Sequence, residues 1–597
     1  MSRPPVRQTG VIAAAIAAFV AAPPAAAQFA PIYPGPLVPD LAAPHSLRWE
    51  PVDVTSTGIA VANVTTSRFD EDIGFTVGSR AFRWDTTGAP PQQLTTFGAG
   101  DDAFSFASVS AVNEHGVAVG QAERTDPTGV STDRIPVVWG AGGGDPMELA
   151  TRSATPQVMI EWMPVDINSA GAIVGSAAEP SQLPGGRART AVMWDSPETV
   201  ARELAYPATD SNVESLAMEI ADSGIVVGIV RKRTEAGANL GSRPVRWDAS
   251  GVPAELAPLG ASVPSQNNVR VLAANGHGAI VGKSAEYDED GELLRVFVPV
   301  RWPAGTTDPE VLGDLPFKPF GHADSSAYDI NDAGTAVGLA FKFNGPDGPS
   351  SGTRPVLWEA GSTMPVELDT LVNDPIVDRS GVALSINNRG QTVGEVHPWG
   401  GVERAMLWTE DRVAVDLNSL IDPASGWVLN RAEFISDAGW ILGTGTFDID
   451  GEGGAEPRTR LFMLRAPPPS FPGDYNADGK VEQGDLDLVL LHWGRDMIVP
   501  PDGWIRNLPV GHVNQAELDA VLLNWGKTQA AVDGVGAVPE PASVVLLIAL
   551  LLPCIVCNTL LVAPLRSRPQ ILGEAGLTTC SRLERVQRVA PSLQRPA

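Results

Sequence analysis

The chain has 597 residues, with 70 Asp and Glu against 42 Lys and Arg, a formal net charge of -28 at pH 7, 61 Gly, 52 Pro and 3 Cys. A polyanion of this size repels phosphate at long range, and no Lys/Arg cluster in its interior offsets that field, so nucleic acid is not an expected partner. With 43 % hydrophobic and 19 % charged residues it fits neither a disordered chain nor a multi-span membrane protein, and its length alone allows roughly two to four domains.

Residues 1–27 carry Arg3 and Arg7 and no acid, then an apolar run from Val11 to Ala22 and the small residues Ala25, Ala26 and Ala27. This order of charged, apolar and small residues reads as a secretory signal peptide cleaved after Ala27. An uncleaved anchor is the alternative, and it too places the body outside the cytoplasm.

From residue 28 to residue 466 one unit is written eight times. Its first phrase opens at Gly58, Gly116, Gly171, Gly224, Gly278, Gly334, Gly390 and Gly439; four residues later stand Ala62, Gly120, Gly175, Gly228, Gly282, Gly338, Gly394 and Gly443. Three residues before the opening Gly come Asn113, Asn168, Asn275, Asn331 and Asn387, with Thr55, Ser436 and Ala221 as the departures. Its second phrase ends at Trp84, Trp139, Trp194, Trp247, Trp302, Trp358 and Trp408, with Leu464 in the eighth place.

Asn at the first turn position and Gly at the fourth predict a hairpin turn, because the Asn side chain bonds backbone two residues on and the fourth position favours Gly. The flanking apolar residues form strands, the Trp phrase a third strand, and Glu148-Leu149, Glu203-Leu204, Glu255-Leu256, Glu367-Leu368 and Asp416-Leu417 a short fourth. Four short antiparallel strands per roughly 50 residues predict an all-β, eight-bladed β-propeller of four-stranded repeats. Over about residues 45–466 these phrases resemble the repeats of the HAF family of bacterial extracellular proteins. The resemblance implies a secreted repeat domain and brings no reaction or ligand with it.

The last repeat stops near Leu464 without its short fourth strand. Val38-Pro39-Asp40-Leu41-Ala42-Ala43-Pro44 is similar to Ala254-Glu255-Leu256-Ala257-Pro258-Leu259, so a segment at about 36–44 is expected to supply the missing strand and close the ring.

A Pro-rich linker at 467–471 leads to a second domain at 472–527. Asp474, Asn476 and Asp478 stand at loop positions one, three and five, Gly479 at six, Lys480 at seven, an apolar Val481 at eight, Glu482 at nine and Asp485 at twelve. Oxygen donors at that spacing suit calcium: Asp474, Asn476, Asp478 and Asp485 through side chains, Lys480 through its carbonyl, and Glu482 directly or through water. A helix follows, and Glu517 to Gly526 repeats Asp485 to Gly494 32 residues on. These paired loop-helix units resemble a type I dockerin, a small α-helical module of EF-hand type that binds cohesin domains. The second loop has Arg506, Leu508 and Val510 where Asp474, Asn476 and Asp478 stand in the first. One calcium site is therefore expected, and that loss weighs against a cohesin-like partner.

After a linker at 528–541 that ends in Pro539-Glu540-Pro541, a mostly apolar segment at 542–565 is long enough to span a bilayer as a transmembrane helix. Arg566 and Arg568 begin a basic tail at 566–597, which the positive-inside rule places in the cytoplasm. Pro-Glu-Pro, apolar span and basic flank together resemble the PEP-CTERM sorting signal, which implies processing by an exosortase-type enzyme and display at the cell envelope, cell surface or beyond. A tail of this length departs from that family, and an ordinary single-span anchor is the alternative. Residues 1–27 carry +2 and residues 566–597 +4, which leaves -34 on the stretch between them. Cys554, Cys557 and Cys580 all lie in the span or tail, so the exported body can form no internal disulfide.

No His-Glu-x-x-His, P-loop or dinucleotide fingerprint occurs. His115 and His277 fall in repeat turns, Asp53, Asp166 and Asp329 precede turns as hairpin caps, and the Trp series is inter-blade core rather than a sugar-stacking platform. The leading expectation is an exported binding or structural protein with no catalytic site. The alternative is a polysaccharide-degrading hydrolase or lyase attached through the dockerin-like module; extracellular polysaccharide is a candidate ligand on either reading.

Overall fold

The computed structural model describes residues 29–31, 473–475, 480–495 and 513–526, together with 45–467 apart from 71–73, 87–90, 98–105, 126–130, 152–160, 181–186, 207–212, 234–238, 260–268, 288–292, 316–324, 344–349, 372–378, 399–400 and 449–457. Eight four-stranded antiparallel sheets follow one another along the chain. Blades one to seven occupy 45–94, 107–148, 161–203, 213–255, 269–311, 326–367 and 379–416, each with its strands in chain order. The first strands of successive blades pack on one another, which puts them innermost, and the last blade packs back on the first.

Blade eight takes three strands from 427–465 and its fourth from Phe29–Pro31, which pairs with Phe462–Leu464 in the register Phe29↔Leu464. The ring therefore closes through the N-terminal end of the chain, at a place different from the expected 36–44. The segment 32–44 lies outside the described residues, as do 1–28 and 527–597, which hold the expected leader, apolar span, basic tail and all three Cys. Among the described residues no helix is long and apolar enough to cross a membrane.

Each opening Gly has φ between 77° and 88°, the left-handed region that costs an L side chain about 1–2 kcal/mol. Its N–H closes the turn, as from Gly116 to the Asn113 carbonyl at 2.8 Å, while Asn113 Oδ1 accepts from His115 N–H and Val117 N–H.

The second Gly has a different cause. In every blade the first strand carries a bulge: pairing with the second strand skips Val52, Ser110, Val165, Met218, Leu272, Tyr328, Leu384 and Glu433. The second Gly pairs with the residue just before the bulge, and a Cβ there would come within 1.9–2.2 Å of a first-strand carbonyl oxygen. Only in blade one does a methyl, that of Ala62, occupy the position, and nothing in the structure explains why it is accommodated there.

The hydrophobic core lies between blades. Eight clusters of buried residues each draw on two neighbouring blades, one for every seam of the ring. Trp139, Trp194, Trp247, Trp302, Trp358 and Trp408 are at most 1 % exposed. Their indole N–H groups donate to carbonyls of the preceding blade, those of Thr95, Ala150, Ala205, Ala257, Gly313 and Asp369, at 2.7–3.0 Å. The Trp series is therefore inter-blade core.

Two predictions follow from this geometry. Replacing Phe29–Pro31 with three glycines should lower the melting temperature by several degrees while the same change at 40–42 leaves it nearly unchanged; the reverse order would move the closing strand to the later segment. Gly338→Ala should lower the free energy of unfolding in urea by about 1–3 kcal/mol through overpacking at the bulge, and an unchanged midpoint would contradict the close approach.

Candidate functional site

Three tiers of polar contact join the inner ends of the blades. In the first, Asn113 and Asn168 donate from Nδ2 to carbonyls of the next blade, those of Asn168 and Ala221, at 3.1 and 3.2 Å. Asn275, Asn331 and Asn387 do the same to Asn331, Asn387 and Ser436 at 2.9–3.1 Å. In the second, the next turn residue's N–H reaches an acid or amide of the following blade: Ser169 to Asp222, Gly276 to Asp332, Asp332 to Asn388 and Asn388 to Asp437, at 2.7–2.8 Å.

The third tier consists of carboxylates immediately after the bulge. Asp166 accepts from Ile167 N–H at 2.8 Å and, through its other oxygen, from Ile220 N–H of the next blade at 2.7 Å. Asp329 bridges Ile330 and Ile386, and Asp53 bridges Val54 and, at 3.5 Å, Val112. Glu219, one methylene longer, accepts from Ala274 N–H at 2.9 Å. These acids were expected to cap hairpins. The Asn side chains do that, and the acids instead join one blade to the next.

Asp53, Asp166, Glu219 and Asp329 lie on the first strands of blades one, three, four and six, the strands that pack innermost, and Glu219 feels the charge of the other three. Enclosure by the inner strands pushes the Asp53 carboxyl up to about 7, with the charge of Asp166 adding to it. Burial also raises Asp166 and Asp329, and it holds Glu219 well above the usual carboxylate range, helped by Asp166, Asp329 and Asp53. A carboxyl whose pKa rises on folding gives stability that is present below its unfolded value and is lost as pH rises through the folded one. The melting temperature of the native chain should therefore fall relative to Glu219→Gln between pH 5 and pH 8, since Gln keeps the acceptor and removes the charge. Parallel pH profiles for the two proteins would contradict this.

The module beyond the ring contains two helices, Gln483–Leu491 and Gln515–Asn524. Gly494 N–H donates to the Val513 carbonyl at 2.8 Å and Gly526 N–H to the Val481 carbonyl at 2.9 Å. Both pairs are 32 residues apart in register, so the two units exchange equivalent bonds about a pseudo-twofold axis. Tyr475, Val481, Leu486, Val489, Val513 and Val521 form their common core.

Of the expected calcium ligands, Asp474 and Asp485 are fully buried, while Lys480 and Glu482 are exposed. Asn476 and Asp478 lie outside the described residues. Tyr475 N–H donates to Asp485 Oδ1 at 2.7 Å and Glu482 N–H to Oδ2 at 3.0 Å, which ties the start of the loop to its twelfth position. Two buried carboxylates are costly unless a cation or hydrogen bonds compensate them, so the buried part of the loop fits a hard cation. Burial, with Glu517 and Asp485 nearby, raises the Tyr475 hydroxyl, which donates to the Glu517 carbonyl at 3.1 Å. In the second unit Glu517 Oε2 accepts from Asn514 N–H at 2.7 Å, the same helix-start contact that Asp485 makes in the first.

His115 and His277 are exposed turn residues. The Trp–1 arginines were not singled out in the sequence. Arg246 and Arg301 reach across to carbonyls of the next blade's turns, including those of Gly278 and Pro303 for Arg246 and of Gly334, Glu359 and Ser362 for Arg301. The Pro-Val-Arg-Trp wording was the available signal, but an Arg on a strand carries no mark of its distant acceptor, and Arg301 is buried against carbonyls the sequence does not pair with it.

No family model matches the chain, and no curated protein is similar to it. Among solved structures, it resembles the β-propeller domain of the Trilobed protease from Pyrococcus furiosus at 9 % identity, over 63 % of this chain and 96 % of that one, with a TM-score of 0.35. It resembles polysaccharide lyase Uly1 at 12 % identity, over 71 % and 90 % respectively, with a TM-score of 0.34. Pyrococcus horikoshii acylaminoacyl peptidase is similar at 12 % identity over 60 % of this chain, with a TM-score of 0.31, and the match spans about half (52 %) of that enzyme. Likenesses this weak carry no argument about activity; the eight-bladed propeller rests on the strand pairing.

Proposed function

We propose that the chain is an exported scaffold that binds a ligand without turning it over: a closed propeller of HAF type joined to a dockerin-like module with one calcium. The observation that carries this reading is the use of the repeated chemistry. Asn, Asp, Arg and Trp recur because each joins one blade to the next, so the residues that recur most are architectural. Extracellular polysaccharide is the ligand class proposed for the ring. In this reading the N-terminal leader directs export, and the segment from Pro539 to the basic tail, of PEP-CTERM type, engages an exosortase-type enzyme and the membrane.

Glycan-array binding of the full chain, run beside hydrolysis and lyase assays on the same glycans, tests the reading. Saturable binding without product is expected, whereas catalytic turnover would replace it with the polysaccharide-degrading enzyme. Calcium titration of the full chain should show one site, lost in Asp474→Ala combined with Asp478→Ala. Two equal sites would contradict the loss of ligands at Arg506, Leu508 and Val510.

A further inference from the structure

Blade seven carries a side-chain cluster outside the three tiers of seam contacts and outside the module. Glu395 and His397 lie two residues apart on the strand Thr392–Pro398, hence on one face of it, and Glu403 directly precedes the paired strand Arg404–Trp408. One ligand atom from each of the three lies within 4.8 Å of the other two. His397 Nε2 is 3.2 Å from Glu395 Oε1, and Nδ1 is 3.5 Å from Glu403 Oε1. The two ring nitrogens point apart, so one ion takes one of them, and a rotation of the exposed His397 or Glu403 side chain brings the three ligand atoms from within 4.8 Å toward the roughly 3.4 Å separation of ligands on a tetrahedral ion.

A second observation points the same way. Glu395 is 5 % exposed, and its Oε1 accepts from Arg431 Nη1 of blade eight at 2.7 Å, while its Oε2 is buried with no hydrogen-bond partner. A buried carboxylate oxygen left without a partner is costly, and a cation would satisfy it. Arg431 fixes the orientation of Glu395 as outer-shell partners of metal ligands do. The local charge also favours a cation. Burial raises the Glu433 carboxyl, but even with that group protonated two carboxylates face one guanidinium.

We propose that Glu395, His397 and Glu403 bind one divalent first-row transition ion at the seam of blades seven and eight. An imidazole nitrogen beside two carboxylates selects such an ion over calcium or magnesium, which separates this site from the oxygen-only loop at Asp474. The His397 and Glu403 side chains are 39 % and 49 % exposed, so an ion can reach them from solvent and keep a coordination position open.

The test uses the tag-free full chain, saturated with calcium so that the module's loop does not compete, and titrated with zinc alone at pH 7.5. One equivalent of zinc should bind, and its affinity should fall at least tenfold in His397→Ala and in Glu403→Gln, with wild-type melting temperatures in the absence of zinc. Cobalt in place of zinc should give a visible absorption band that His397→Ala removes. Absence of stoichiometric zinc uptake by the native chain would overturn the proposal, leaving His397 as a polar bridge between the two glutamates. Unchanged zinc affinity in both variants would overturn it equally.

Discussion

A four-stranded blade of this protein cannot bury its own faces. Both sides of each sheet carry apolar residues, and every core cluster is completed by a neighbouring blade. The structure thus depends on the seam, a contact repeated eight times and satisfied only when the ring is closed. Closure also covers the two blade faces that an open array would present, those of blades one and eight. The short strand Phe29–Pro31 matters out of proportion to its length, because it completes the one blade whose fourth strand the repeat region does not encode.

The seam explains where the polar residues sit. Buried indole N–H groups, bulged first strands and a row of hairpin turns all leave backbone or ring groups that need partners; most find one across a seam, whereas the buried indole N–H groups of Trp49 and Trp84 have none. At the seam of blades four and five Ala221 takes the place of Asn, and Glu219 and Ser223 supply the contact to blade five instead. The cost appears on the innermost strands. Four carboxylates are held where their charges meet and solvent is scarce, in a body already strongly negative, so the bonds that join the blades also load the ring with repulsion as pH rises.

Much of this was legible in the sequence where the cause is local. The turn Gly and Asn are fixed by backbone geometry within four residues, and the in-phase Trp residues announced a buried role. Asp474 and Asp485, picked out by their spacing in the sequence, lie buried at the two ends of one loop. What stayed hidden depends on distant partners. The second Gly answers to a bulge in the opposite strand, Asp53, Asp166 and Asp329 to amides of the next blade, and Glu395 to an Arg some 36 residues away. Repeat phase foretold that the N-terminal end would close the ring, but not which residues would do it. A fourth strand pairs over only two or three residues, as Arg202–Glu203 and Pro365–Glu367 do, so it constrains sequence too little for similarity to locate it.

The central claim is that the seams hold the ring as one unit. Native-state hydrogen exchange at the amides of Ile220, Ala274 and Ile386, which donate across three different seams, tests it most directly. The account predicts that all three exchange only through global unfolding, with one common free energy and one common denaturant dependence. Faster exchange at these amides than at amides paired inside the blades, through separate local openings, would contradict it.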